Sequence, residues 1–215
     1  MRRLRRFPAP RAPGGSAPYI GRDDRDAMTT FFTADTHIAD AHILRMRPFA
    51  TIDEHDAAVV ARWNGRIGPD DDVWHVGDVF GGVGRERCAA LFAKLNGRKR
   101  LVVGNHDSNR VLELPWAAPP VEHARLTLKS SSGAEVRLYL AHYPMRSWPG
   151  LWRGTRHLHG HTHSMLPGTS QSCDVGADAW DYAPATLDEV IARQDATETL
   201  PEELAVWAAR RRAGE

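Results

Sequence analysis

Five times along this chain a short apolar run ends in residues of the kinds that bind metal ions or carry protons. Phe31-Phe32-Thr33-Ala34 runs into Asp35 and His37, and residues 73–76 run into Gly77-Asp78. Leu101-Val102-Val103 is followed by Gly104-Asn105-His106-Asp107. Residues 138–141 lead to His142, and Leu158-His159-Gly160 leads to His161 and His163. Runs this short, bounded by glycine and polar residues, have the length of buried strands rather than helices. In α/β sheets ligands sit beyond the carboxyl ends of the strands. If these strands are neighbours of similar orientation, their polar ends meet on one rim. Gly77, Gly104 and Gly160 each precede one of these residues and give the backbone freedom to turn inward there.

The intervening sequence supplies helices. Thr51-Ile52-Asp53-Glu54 is a capping box, followed by Ala57, Val60, Ala61 and Trp63 at helical spacing. Residues 85–95 read as a second helix that stops at Asn96-Gly97. The second half differs. Residues 125–128 and 136–140 alternate in polarity around Ser130 to Gly133, which predicts a hairpin. A further strand is expected through Cys173-Asp174-Val175. Capping boxes at Thr186-Leu187-Asp188-Glu189 and Thr199-Leu200-Pro201-Glu202 open two short helices at the C-terminal end. Alternating strands and helices, then a hairpin-rich half, predict an α/β chain of the α+β type: mixed sheets covered by helices.

The length of 215 residues suits one domain, or one domain with a tail, and an apolar fraction of 42% is enough for a sizeable core. Residues 1–27 are rich in Arg, Pro and Gly and poor in large apolar side chains, which predicts a disordered leader. A single domain is then expected over 28–215. Met28 stands just before the first strand as an alternative translation start; an arm touching nucleic acid or anionic lipid is the competing reading. That leader carries seven Arg against three Asp, leaving 21 basic and 24 acidic residues in the remainder. A mildly acidic body predicts no broad nucleic-acid surface, although it leaves room for a local basic cleft. No apolar run approaches the ~20 residues that span a bilayer, and no secretory signal is present, so a cytoplasmic protein without a membrane partner is expected. Cys88 and Cys173 are far apart and outside any CxxC pair, which favours two free thiols.

The imidazoles, carboxylates and amide at the five strand ends make a nitrogen-and-oxygen donor set that suits manganese, iron, zinc, cobalt or nickel, with manganese the first choice. Asp35, His37, Asp78, Asn105, His142, His161 and His163 are too many for one ion. With a bridging carboxylate they suit two, at the ~3.5–4 Å separation of two-metal hydrolases.

Asp35-Thr36-His37, Gly77-Asp78, Gly104-Asn105-His106-Asp107, Ala141-His142 and Gly160-His161-Thr162-His163 together resemble the motif blocks of the calcineurin-like metallophosphoesterases, in order, and their spacing resembles the small bacterial and phage members. The resemblance implies a sandwich of two mixed sheets flanked by helices. It implies that Asp35, His37 and His163 bind one metal, that Asn105, His142 and His161 bind the other, and that Asp78 bridges them. It gives His106 the role of general acid and Asp107 that of orienting the His106 imidazole. The expected reaction is hydrolysis of a phosphate monoester or diester by in-line attack of a metal-bridging hydroxide, on a phosphorylated small molecule or a nucleotide. The alternative is a non-catalytic metal-binding scaffold of the same fold.

Other residues attract weaker expectations. Arg146 and Trp148, close after His142, are candidate substrate contacts, with Arg47, Arg110 and Arg153 behind them. His75 and His159 are expected to pack or to support the ligands. His42, His55, His123 and His157 are read as surface or capping groups, and Asp174 as a turn or strand-end residue. Trp180 and Trp207 are read as core residues, with an interface as the lesser alternative.

Overall fold

The computed structural model describes residues 28–213; the expected leader over 1–27 lies outside the described residues. Among the described residues eight strands form two sheets. They are β1 Thr30–Thr33, β2 Asp72–His75, β3 Arg98–Leu101, β4 His123–Lys129, β5 Glu135–Ala141, β6 Arg156–His159, β7 Ser172–Asp174 and β8 Ala185–Thr186. The first sheet has the order β3-β2-β1-β8, with β1, β2 and β3 parallel and β8 antiparallel to β1. The second has the order β4-β5-β6-β7, an antiparallel hairpin extended by two parallel strands. Both sheets are mixed, as expected.

Side-chain alternation along each strand decides what it packs against. On β1, Phe31 faces outward to α1 (Ile52–Arg66) and α2 (Arg85–Phe92), joining Val59, Trp63, Leu91, Phe92, Val73 and Leu101. Phe32 faces the opposite way, into a core it shares with Val76, Leu138, Leu140, Leu158 and Cys173. That second cluster takes residues from both sheets and is the sandwich interior. A third, smaller cluster of Tyr139, Ala141, Trp148 and Leu151 covers the outer face of the second sheet.

The helices start where their caps place them. Thr51 and Glu54 make both bonds of the capping box at α1, and Thr186 and Glu189 do the same for α4 (Leu187–Asp195). At α5 (Glu202–Ala213) the Glu202 carboxylate pairs with Arg146 instead of reaching back to Thr199. The helix expected over residues 85–95 ends at Phe92, because the amides of Lys94 and Leu95 close tighter bonds to Leu91 and Phe92. A short α3 (Asn109–Leu112) follows the Asn105 loop. Cys88 and Cys173 are both buried free thiols, and burial pushes Cys173 up to about 12. Among the described residues no helix is long and apolar enough to cross a membrane.

Candidate metal centre

Because β1, β2, β3, β5 and β6 all end toward the same side, the loops after them gather the polar residues. Asp35, His37 and His163 form one group whose ligand atoms lie within 4.8 Å of one another. Asp78, His142 and His161 form a second on the same criterion. Asp78 joins the two, its Oδ2 standing 3.8 Å from His37 Nε2 and 3.3 Å from His142 Nε2. Asn105 Oδ1 approaches His142 Nε2 at 3.0 Å and His161 Nδ1 at 2.9 Å. All seven expected ligands are thus brought together. Donor atoms around a small divalent ion, each about 2.1 Å from it, stand at comparable mutual distances.

The backbone at these positions is unusual. Asp35, His37, Asp78, His161 and His163 all have φ between 46° and 70°, in the left-handed region that side chains with a Cβ rarely adopt. Strain of this kind, ~1–3 kcal/mol per residue, persists only where surrounding contacts hold it, and it concentrates at functional sites. Gly77 makes the turn possible. Its φ is +94°, and a Cβ there would lie 2.3 Å from His142 Nδ1.

Three of the four candidate ligand histidines are oriented by a second bond. His37 Nδ1 faces Asp40 Oδ2 at 3.2 Å, His142 Nδ1 faces the Val76 carbonyl at 2.9 Å, and His163 Nδ1 faces Asp178 Oδ2 at 2.8 Å. This leaves Nε2 of all three turned toward the centre, the pattern by which outer groups fix the tautomer of a ligating imidazole. Asp178 is itself gripped by the buried Arg47, whose Nε and Nη2 donate to its two oxygens at 2.9 and 2.7 Å. Arg47 also donates to the Thr36 carbonyl at 3.0 Å.

Two buried atoms of the first group have no hydrogen-bond partner among the described residues: Asp35 Oδ1 and His37 Nε2. Burial pushes the Asp35 carboxyl up to about 7, against the pull of His142 and His163, and holds His37 down at about 4. For Asp78 burial pulls upward, yet the hydrogen bond and charge of His142, the His106 amide and His37 outweigh it and bring the carboxyl to about 2. Burial also raises Asp178, but the bonds from His163 and Arg47 prevail and hold it below the ordinary carboxylate range. A cation fits this donor set, since it would partner the two orphaned atoms and favour the charged form of Asp35.

His106 is exposed at the rim, its ring 5.5 Å from that of His37, and its amide donates to Asp78 Oδ1 at 2.7 Å. Asp107 departs from expectation. Its Oδ2 accepts the amides of Asp78 and Gly104 at 2.9 and 2.8 Å, and its Oδ1 accepts that of Val79 at 3.0 Å. It therefore ties the His106 loop to the Asp78 loop instead of orienting the imidazole.

The two candidate substrate contacts also fall elsewhere. Trp148 is buried, donates to the Thr155 carbonyl at 2.7 Å and tilts over His157, so its faces are taken by the core. Arg146 is exposed and pairs with Glu202 on α5. His55 and His157, read as surface or capping groups, are fully buried. His55 lies between Arg47 and Asp56, and His157 bonds the Tyr139 carbonyl at 3.0 Å; burial brings His157 down to about 4. His75 and Asp174 meet expectation: His75 packs on Trp63 and meets Thr36 Oγ1, while Asp174, at the end of β7, accepts from Thr162 and Ser164 of the His161–His163 loop and from the Gly176 amide. Trp180 bonds the Asp174 carbonyl, while Trp207 is 47% exposed against Trp152, outside the core.

Sequence reading missed Asp40, Asp178 and Tyr143, and it read Arg47 as a substrate contact where the structure places it on Asp178. Asp40 was signalled by its position three residues after His37. Asp178 and Arg47 meet across 131 positions, and nothing local marks that contact. Tyr143, exposed with its ring 4.4 Å from that of His161, had only its adjacency to His142 as a signal.

No family model matches the chain. It is 33% identical over 187 residues to the gene 66 protein of Mycobacterium phage D29, covering 74% of this chain and 92% of the relative. The gene 66 protein of Mycobacterium phage L5 is 30% identical over 182 residues, at 70% and 87% coverage. An uncharacterised protein of Methanocaldococcus jannaschii is 25% identical over 175 residues, at 75% and 88% coverage. Among solved structures, a protein of unknown function from Aquifex aeolicus superposes with a TM-score of 0.56 at 19% identity, covering 76% of this chain and 98% of that one, which establishes a shared fold. With seven convergent ligand candidates on that fold and a third of its aligned positions identical to the D29 protein, the chain belongs to the family of the mycobacteriophage gene 66 proteins.

Proposed function

We propose that the chain is a phosphoesterase that uses two divalent metal ions, manganese first among them, to hydrolyse a phosphate monoester or diester. The observation that carries this reading is the pair of three-residue groups joined through Asp78 Oδ2. The oriented imidazoles, the two orphaned buried atoms and the left-handed backbone at five of the ligands support it.

Asp35, His37 and His163 would hold one ion, Asn105, His142 and His161 the other, and Asp78 would serve both. When bound, such ions supply Lewis acidity at the phosphoryl oxygens and lower the pKa of water, to about 7 in the case of zinc. The remaining work belongs to the chain. Exposed beside this centre, the His106 imidazole delivers its N–H proton to the leaving oxygen of the ester. The Asp78 carboxylate is fixed for its double role by the His106 amide, and Asp107 keeps the two loops in register. Tyr143 offers an aromatic face beside His161 for the organic part of a nucleotide or similar substrate.

Counting metal ions per chain in variants reloaded with manganese tests the division of roles. His106→Ala should keep both ions and lose turnover by ~10²–10⁴-fold, the usual contribution of a general acid. Asp78→Asn should lose affinity for both. Loss of metal from the His106 variant, or full metal content in the Asp78 variant, would overturn the assignment.

A further inference from the structure

Eight of the 18 arginines among the described residues lie against a carboxylate. Arg47 meets Asp178, Arg66 meets Glu189, Arg85 meets Glu113, Arg100 meets Asp72 and Arg156 meets Asp195. Three others depart from this together. Arg125 on β4, Arg137 on β5 and Arg153 line one cavity of about 440 Å³, along with Thr127, Gly150 and Thr155. No carboxylate is among its lining residues, and Arg125 and Arg153 form no ion pair with any described residue. The Arg137 guanidinium donates to the Arg153 carbonyl, which neutralises neither charge.

The sheet register explains the clustering. Arg125 faces Tyr139 and Thr127 faces Arg137 across the hairpin, so the two arginines are diagonal neighbours on the outer face of the second sheet. One rung further, Lys129 faces Glu135, an opposite-charge pair. The hairpin thus balances its charge beyond the cavity and leaves it unbalanced within. The other wall is held close by Gly150, whose φ is +86° and where a Cβ would lie 2.3 Å from Thr155 Oγ1. None of the cavity's lining residues is a candidate metal ligand.

Guanidinium groups bind phosphate oxygens bidentately, and threonine hydroxyls complete such sites as neutral donors. The volume lies within the ~300–1,000 Å³ of small-molecule sites. We propose that this cavity binds a ligand of nucleotide size carrying at least two phosphate groups, at a site separate from the metal centre.

The test is a nitrogen-15 NMR titration of the full chain with two probes that resist hydrolysis, methylenediphosphonate and α,β-methylene-ADP. Saturating shifts are expected at the amides of Thr127, Gly150 and Thr155. The exposed-residue variants Arg125→Ala and Arg153→Ala should each weaken binding there about tenfold, as the loss of one charge-assisted contact implies. His161→Ala, in the metal centre, should leave these shifts in place. Equal binding of the probes would assign recognition to the phosphates alone, and tighter binding of the nucleotide would add the nucleoside; both support the site. Shifts confined to the metal-centre loops, no saturation at millimolar probe, or unchanged affinity in the arginine variants would overturn it.

Discussion

Asp178 touches no ion site directly, yet it stands between His163 and the buried Arg47 and fixes which imidazole nitrogen faces the centre. Removing its charge should lower metal affinity ~10–100-fold, the usual effect of losing a carboxylate behind a ligating histidine. Calorimetric titration of Asp178→Asn with manganese checks this, and wild-type affinity would contradict it. Asp35 carries a different consequence. Its carboxyl is raised to about 7 in the folded metal-free chain, against 3.8 when unperturbed. The folded state therefore holds the proton more tightly, and metal-free stability falls as pH rises from about 4 to about 7. Chelator-treated Asp35→Asn should be more stable than wild type at pH 8, on the order of 3 kcal/mol, with an advantage that shrinks toward pH 4. Urea denaturation at the two pH values measures it; an advantage independent of pH would contradict the burial argument. The ligand residues were legible in sequence because each closes an apolar run. Their orienting partners were less so, since Arg47 and Asp178 are brought together only by the closed fold.

The elements show the same division. The starts of α1 and α4 could be read directly, because a capping box is satisfied within four residues. Strand β8 could not, being two residues whose only definition is pairing with β1. The start signal at Thr199–Glu202 marked a real helix for an incomplete reason, since Glu202 is engaged by Arg146. Trp148 was read as a substrate contact because sequence places it near His142, while the loop folds it back over His157. The turn at Gly77 links sequence to geometry most tightly. Gly77→Ala introduces a Cβ against His142 at a positive φ, so it should destabilise the metal-free chain by at least about 2 kcal/mol and impair metal binding as well. Wild-type denaturation and metal content in that variant would show that the loop tolerates a different path.

At the scale of the molecule, the two sheets meet through their loops. Asp35, His37, Asp78 and Asn105 follow strands of the first sheet, whereas His142, His161 and His163 follow strands of the second. Ions held there would tie the halves of the sandwich together, and metal at ~100 times its Kd should add about 2.7 kcal/mol of stability per site. The strand pattern predicted mixed sheets covered by helices and the resemblance implied that there are two, but the register between sheets could not be read, because it is set by packing of Phe32, Val76, Leu140 and Leu158 across the interior. The most direct test of the two-metal phosphoesterase is turnover by the chelator-stripped chain when manganese is restored, with p-nitrophenyl phosphate and bis-p-nitrophenyl phosphate as substrates. A two-metal phosphoesterase should hydrolyse at least one of these esters in a metal-dependent way and lose that turnover in His106→Ala. Two ions bound per chain with no hydrolysis of either ester would contradict it and leave a metal-binding scaffold.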